Sequence, residues 1–249
     1  MQRLSTQALV AGLDSIQNDG SIPASLPQRL FPDVRPGPSD LASAAAFFLS
    51  DACPALLLSG GAPAHEKAIA RASTWLVNRK ASLIARDRQA PNRLLIDALA
   101  FIGCARLLDD ETLLAHSNEF IAAALTFARD DGVFVEAGGS DTSYQAVNLV
   151  VAHEILGLGY RGAHADTLRS AWSNGVDWLI ARISANGRLD SSRNTRTCAE
   201  EAFLGRPKSV DVREVFRALA YAEVSNGEKI KHLAAFEAWV RTRPDPCDS

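Results

Sequence analysis

Three segments of this chain end in the same way. LVAGLDSIQNDGSI (9–22), IAAALTFARDDGVF (121–134) and DWLIARISANGRL (177–189) each run as an apolar-periodic helix into Asp-Gly or Asn-Gly. One residue and then a hydrophobe follow. The glycine is the informative letter. A residue just past a helix end adopts a left-handed conformation, which costs glycine little, and the hydrophobe after it can fold back on the core. The interval from Gly20 to Gly132 is about twice that from Gly132 to Gly187. A repeating unit of roughly 55 residues fits both intervals. It places a further copy at ASTWLVNRKASLIARD (72–87), expected as one helix without its glycine, and another at FEAWVRTRPD (236–245).

A second set of helices lies between these, near 39–51, 92–108, 143–158 and 210–225. Several are apolar over most of their circumference, as a helix buried on all sides must be. The first set carries more charge, for example Arg71, Arg79, Lys80 and Arg86 along one stretch, and is expected to face solvent. Outer helix, glycine turn and inner helix, repeated, describe an all-α fold of the α/α-toroid type, as a full or an incomplete ring. The only period-two alternation, GVFVEAG, is too short for a sheet. The Pro-rich stretch 23–38 reads as surface loop, and the expected organisation is a single domain, 1–249, with a short tail at 243–249.

Composition removes several function classes. The chain has 249 residues, 47% hydrophobic and 22% charged, and its net charge of −3 is spread without a basic stripe, so neither nucleic acid nor a membrane surface is an expected partner. MQRLSTQALVAGLDSIQ lacks a long apolar h-region and no uninterrupted apolar run suits a bilayer, so a cytoplasmic location is expected. Cys53, Cys104, Cys198 and Cys247 are far apart, without a C-x-x-C pair, and each is expected as a simple thiol. No two histidines stand four apart and no HEXXH occurs, so no metal and no cofactor are expected.

Candidate chemistry collects where the connections enter the inner helices. Asp40, Arg88, Asn92, Arg93, Glu136, Asp141, Tyr144, Gln145, Arg193, Arg196 and Glu200 all fall there, and helix N-termini add a preference for anions. Within 130–145, Thr142 and Gln145 match a capping box, with Asp141 as the alternative cap. Tyr144 and Asn148 lie one turn apart on one face, and an Asn on an apolar helix needs a hydrogen-bond partner. His153 falls about half a turn away from that face and is expected against a neighbouring helix. Loop 186–203 occupies the equivalent place in the next repeat and holds Arg188, Arg193 and Arg196. Arginine suits bidentate carboxylate or phosphate recognition.

The stretch DGVFVEAGGSDTSYQ resembles loops of α/α-toroid polysaccharide lyases, the alginate, chondroitin and heparin lyases of that architecture. The likeness covers about sixteen residues strongly and the helical repeat only in general form. The resemblance implies β-elimination on a uronic-acid glycan: Tyr144 as base or acid, with Arg193, Arg196 or Asn148 steadying the carboxylate and the developing enolate. Gln145 and Arg93 join them as substrate-binding residues, and the partner is an acidic oligo- or polysaccharide. Two alternatives stay open. A glycoside hydrolase would use Glu136 and Asp141 as acid and base. A non-catalytic module of the same architecture would bind glycan without turnover, which suits the lack of a histidine at the expected rim.

Overall fold

The computed structural model describes residues 2–24, 35–61, 63–198, 209–227 and 230–242. Expectations falling on the tail 243–249, on Glu200 and on Cys247 lie outside them. The described residues form ten α-helices and one short 3-10 turn, with isolated β-bridges and no strand. The chain is all-α, and it divides into two compact units: 1–88 with 96–121, and 89–95 with 122–249.

In the first unit, α1 (Gln2–Asp14) and α2 (Pro38–Leu58) are followed by α3 (Glu66–Val77) and α4 (Lys80–Asp87). Most of α5 (Pro91–Leu108) and of α6 (Thr112–Leu125) also belongs here. α2 is long and apolar enough to cross a bilayer by length and composition, yet half of its apolar window is buried within the protein. Ala42, Ala45, Ala46, Leu49 and Cys53 form its buried stripe. A Cβ on Gly103 of α5 would stand 2.6 Å from that of Cys53, so the missing side chain lets α5 lie close against α2. The thiols of Cys53 and Cys104 consequently approach to 3.7 Å.

The stretch expected as one helix over 72–87 is two, α3 and α4, interrupted at Asn78 and Arg79. Asn is a weak helix former that competes for backbone hydrogen bonds. Arg79 turns its guanidinium back over the Trp75 ring, 3.8 Å from its centre.

The second unit is built around α7 (Thr142–Gly157), which packs against both α8 (Ala165–Ile180) and α9 (Val212–Asn226); α9 also meets α8 and α10 (Leu233–Thr242). α7 buries Ala146, Leu149, Val150, Ala152 and Ile155 around its circumference, as expected of an inner helix. α9 buries only the stripe Val215, Ala218, Leu219 and Ala222 and is amphipathic, unlike the expectation for its set.

The three glycine turns share one geometry. Gly20, Gly132 and Gly187 have φ of 89°, 77° and 82°. Each glycine N–H bonds the carbonyl three residues back (Gln17, Arg129 and Ser184), and the amide of that residue bonds the carbonyl just past the glycine (Ser21, Val133 and Arg188). Asp19, Asp131 and Asn186 each take the amide two residues on. A Cβ would meet backbone at 2.2 Å (Arg71 O), 2.1 Å (Gly175 N) and 2.1 Å (Ala235 O) respectively. Each turn therefore presses bare backbone against another helix: α3 for Gly20, α8 for Gly132 and α10 for Gly187.

Candidate functional site

The second unit assembles the cluster from two connections. The first leaves α6 and makes the Gly132 turn. Val135 N then bonds Phe127 O at 2.9 Å, and short bridges pair Ala128 with Phe134 and Glu136 with Gly139. Gln145, in the first turn of α7, clamps this connection: its Nε2 donates to Gly132 O (2.9 Å) and its Oε1 accepts from Phe134 N (2.9 Å). Fully buried, it is spent on backbone. The expected Thr142–Gln145 capping box does not form, because the turn outcompetes the cap for the Gln145 side chain.

Asp141 caps α7 instead. Its Oδ1 accepts from Ser143 N (3.0 Å) and Tyr144 N (3.1 Å). Its Oδ2 accepts from Arg196 N (3.0 Å) and Thr197 N (2.7 Å), and the Thr197 hydroxyl donates to Oδ1 at 2.9 Å. The carboxylate, 1% exposed, thus joins the N-terminus of α7 to the second connection, which follows α8 and the Gly187 turn. Asn194 accepts from Thr142 N at 3.0 Å and donates to Thr197 Oγ1 at 2.6 Å. Thr195 Oγ1 donates to Glu136 O at 2.6 Å. Asn194, Thr195 and Thr197 were not singled out from the sequence; the hydroxyl-rich run between Arg193 and Cys198 is the signal that could have found them. Cys198, expected as a thiol, is disulfide-bonded.

The two connections therefore meet, as their equivalent places in the repeat predict. Where they meet, the Glu136 carboxylate, 1% exposed, forms an ion pair with Arg196. The Arg196 guanidinium stands 4.5 Å from the centre of the Tyr144 ring and its side chain is 45% exposed. Partial burial works against the Arg196 charge. The Glu136 hydrogen bond and the neighbouring Tyr144, Glu136 and Asp141 outweigh it and hold the guanidinium above its ordinary range.

Asn148 is fully buried one turn along α7, its Nδ2 donating to Tyr144 O at 2.9 Å. Its Oδ1 has no hydrogen-bond partner among the described residues. Arg193 is exposed, and its charge joins the Ser192 hydrogen bonds and Arg182 in lowering the Asp190 carboxyl. Arg93 lies half-buried in the first turn of α5. Asp40 caps α2 in the first unit and pairs with Arg86. Among the described residues, no group of three or more His, Cys, Asp or Glu side chains gathers in metal-binding reach.

Chemically, the accessible part of this cluster is a phenol beside a fixed cation. Glu136, Asp141 and Gln145 support it from beneath. Comparison with protein-family models, with curated proteins and with solved structures finds no match for this chain.

Proposed function

We propose that the chain is a carbohydrate-active domain of the α/α-toroid type that binds an acidic saccharide at Tyr144 and Arg196, with β-elimination as its reaction. The observation that carries this reading is the Arg196 guanidinium, held by buried Glu136 and half-exposed over the Tyr144 ring. A guanidinium has five N–H donors. An ion pair with one carboxylate leaves others for the carboxylate of a uronate, which can be taken bidentately. In the reaction Tyr144 takes the proton from C5 of the uronate. The released electron pair forms the C4=C5 double bond as the C4–O bond breaks, and the departing oxygen takes that proton from Tyr144, which returns to its starting state. Arg196 stabilises the charge that develops on the carboxylate. The disulfide at Cys198 favours an oxidising compartment over the cytoplasm.

A second reading, binding without turnover, is favoured by one observation: Glu136 and Asp141 are each 1% exposed and bonded within the protein. That burial also stands against the two as a hydrolytic acid and base. The test is an assay on uronate polymers that follows both the ultraviolet absorbance of unsaturated ends and new reducing ends. Elimination yields both, and Tyr144→Phe should slow it roughly 10²- to 10⁴-fold, the usual worth of a positioned base. Reducing ends without absorbance overturn the elimination. Saccharide binding that Arg196→Ala abolishes, with no product of either kind, selects the binding module.

A further inference from the structure

The far end of α7 holds a second cleft, about 440 Å³ in volume, between α7, α8 and α9. It lies well away from the Tyr144 cluster. Tyr144 is in the first turn of α7 and His153 is nine residues on, roughly 13 Å along the axis at 1.5 Å per residue. The volume is that of a small-molecule site.

One wall of the cleft is aromatic and fixed. His153 stacks on Tyr221 with centroids 4.3 Å apart, sits 5.6 Å from the Trp172 ring, and meets Ser225 Oγ through Nε2 at 3.0 Å. The rest is rich in donors. Ser173, Ser225 and Asn226 line it, as does Arg169. The residues lining the cleft include no Asp or Glu. Arg169 is exposed and makes no ion pair among the described residues, whereas nearby Arg217 is committed to Glu154 and Glu214. Trp172 is 7% exposed and adds its ring to the lining. Ser173, Ser225 and Asn226 suit a guest that carries hydroxyls as well as an anion.

We propose that this cleft is a binding site for a cyclic sugar acid of monosaccharide size, its carboxylate on Arg169 and its ring against the His153–Trp172 wall. The ring gives the aromatic wall a face to cover, the hydroxyls meet Ser173, Ser225 and Asn226, and the carboxylate meets a guanidinium with no acid among the lining residues. The site does not depend on the function proposed for Tyr144 and Arg196.

Calorimetric titration of the full chain with D-glucuronate, D-glucose and benzoate tests it. Glucuronate is expected to bind more tightly than either of the others. Arg169→Ala should weaken glucuronate roughly tenfold or more, the usual worth of a charged hydrogen bond. His153→Ala, which removes one ring of the wall, should weaken it too, with circular dichroism confirming the fold. Arg196→Ala, which removes the saccharide contact proposed beside Tyr144, should leave the Arg169-dependent part of glucuronate binding in place. Equal affinity for glucose, tighter binding of benzoate, or no glucuronate binding overturns the assignment. So does binding that Arg196→Ala removes and Arg169→Ala leaves intact, which would move the ligand to the other cluster.

Discussion

Asp141 shows how one residue can invite two readings. An aspartate just before a helix is chosen equally well by capping and by acid–base chemistry, so the sequence supports both. The contacts weigh for the cap, since its two oxygens serve amides of Ser143, Tyr144, Arg196 and Thr197 and the Thr197 hydroxyl. Asp141→Ala should therefore lower the unfolding free energy by about 3 kcal/mol or more, because several donors to a buried charge are orphaned together. Asp141→Asn keeps one acceptor for the cap but turns an NH₂ toward the amides of Arg196 and Thr197, and should also destabilise. Urea unfolding of both variants checks this; an Asn variant with unchanged stability and lost turnover would instead make Asp141 catalytic.

His153 supplies a prediction in pH. Burial, and then the Arg217 charge, hold its imidazole below the ordinary value. Tyr221 and Arg217 face it from α9, Trp172 and Arg169 from α8, and Glu154 adjoins it on α7. Below about pH 6.5 the unfolded chain binds the proton more readily than the folded one, so this contribution to stability falls as pH drops through that window and levels off below the folded value. Titration by NMR should show the depressed midpoint, and His153→Gln should flatten that part of the stability profile. His153 was expected against a neighbouring helix, and it is. The cleft around it was not legible, because its residues come from three helices and share no spacing along the chain.

At the scale of the element, the glycine turns were the most legible feature. Each requires a left-handed residue and a bare backbone at once, and only one amino acid provides both. The two demands separate experimentally. At Gly132 a Cβ would lie 2.1 Å from Gly175 N with φ at 77°, whereas at Gly138, φ 82°, nothing lies within 4 Å. Gly138→Ala should cost only the left-handed strain, about 1–2 kcal/mol. Gly132→Ala adds a backbone clash that must push α8 away, and should cost about 3 kcal/mol or more, a large share of a small domain's stability. Gly187→Ala should behave like Gly132→Ala. Equal melting temperatures for Gly132→Ala and Gly138→Ala would show that the close packing is not sustained. The break between α3 and α4 was less legible: the apolar period runs through it, and only Asn78 marks it. Gln145 was misjudged for a similar reason, since its local capping partner is nearer in sequence but the Gly132 turn offers two backbone bonds.

At the scale of the whole molecule, the two compact units differ in how they are held covalently. Cys53 and Cys104 of the first are free thiols buried in its core. The Cys104 contact, and then burial, raise the Cys53 thiol well above its ordinary value, so that sulfur is not primed to react in the folded state. Cys198 of the second unit is disulfide-bonded, next to Thr197 in the connection that Asp141 ties to α7. Nothing in the spacing of four scattered cysteines distinguishes these cases, since a disulfide depends on which chain segments meet. A disulfide acts mainly by restricting the unfolded chain and is worth about 2–4 kcal/mol. Reduction should therefore destabilise the second unit by about that amount, and hydrogen exchange should quicken in α7, α8 and α9 while α2 and α3 keep their protection. Alkylation of the unfolded, unreduced chain should label Cys53 and Cys104 and spare Cys198. If reduction instead loosens α2 and α3 as much as α7, the two units unfold as one and the disulfide stabilises the entire chain.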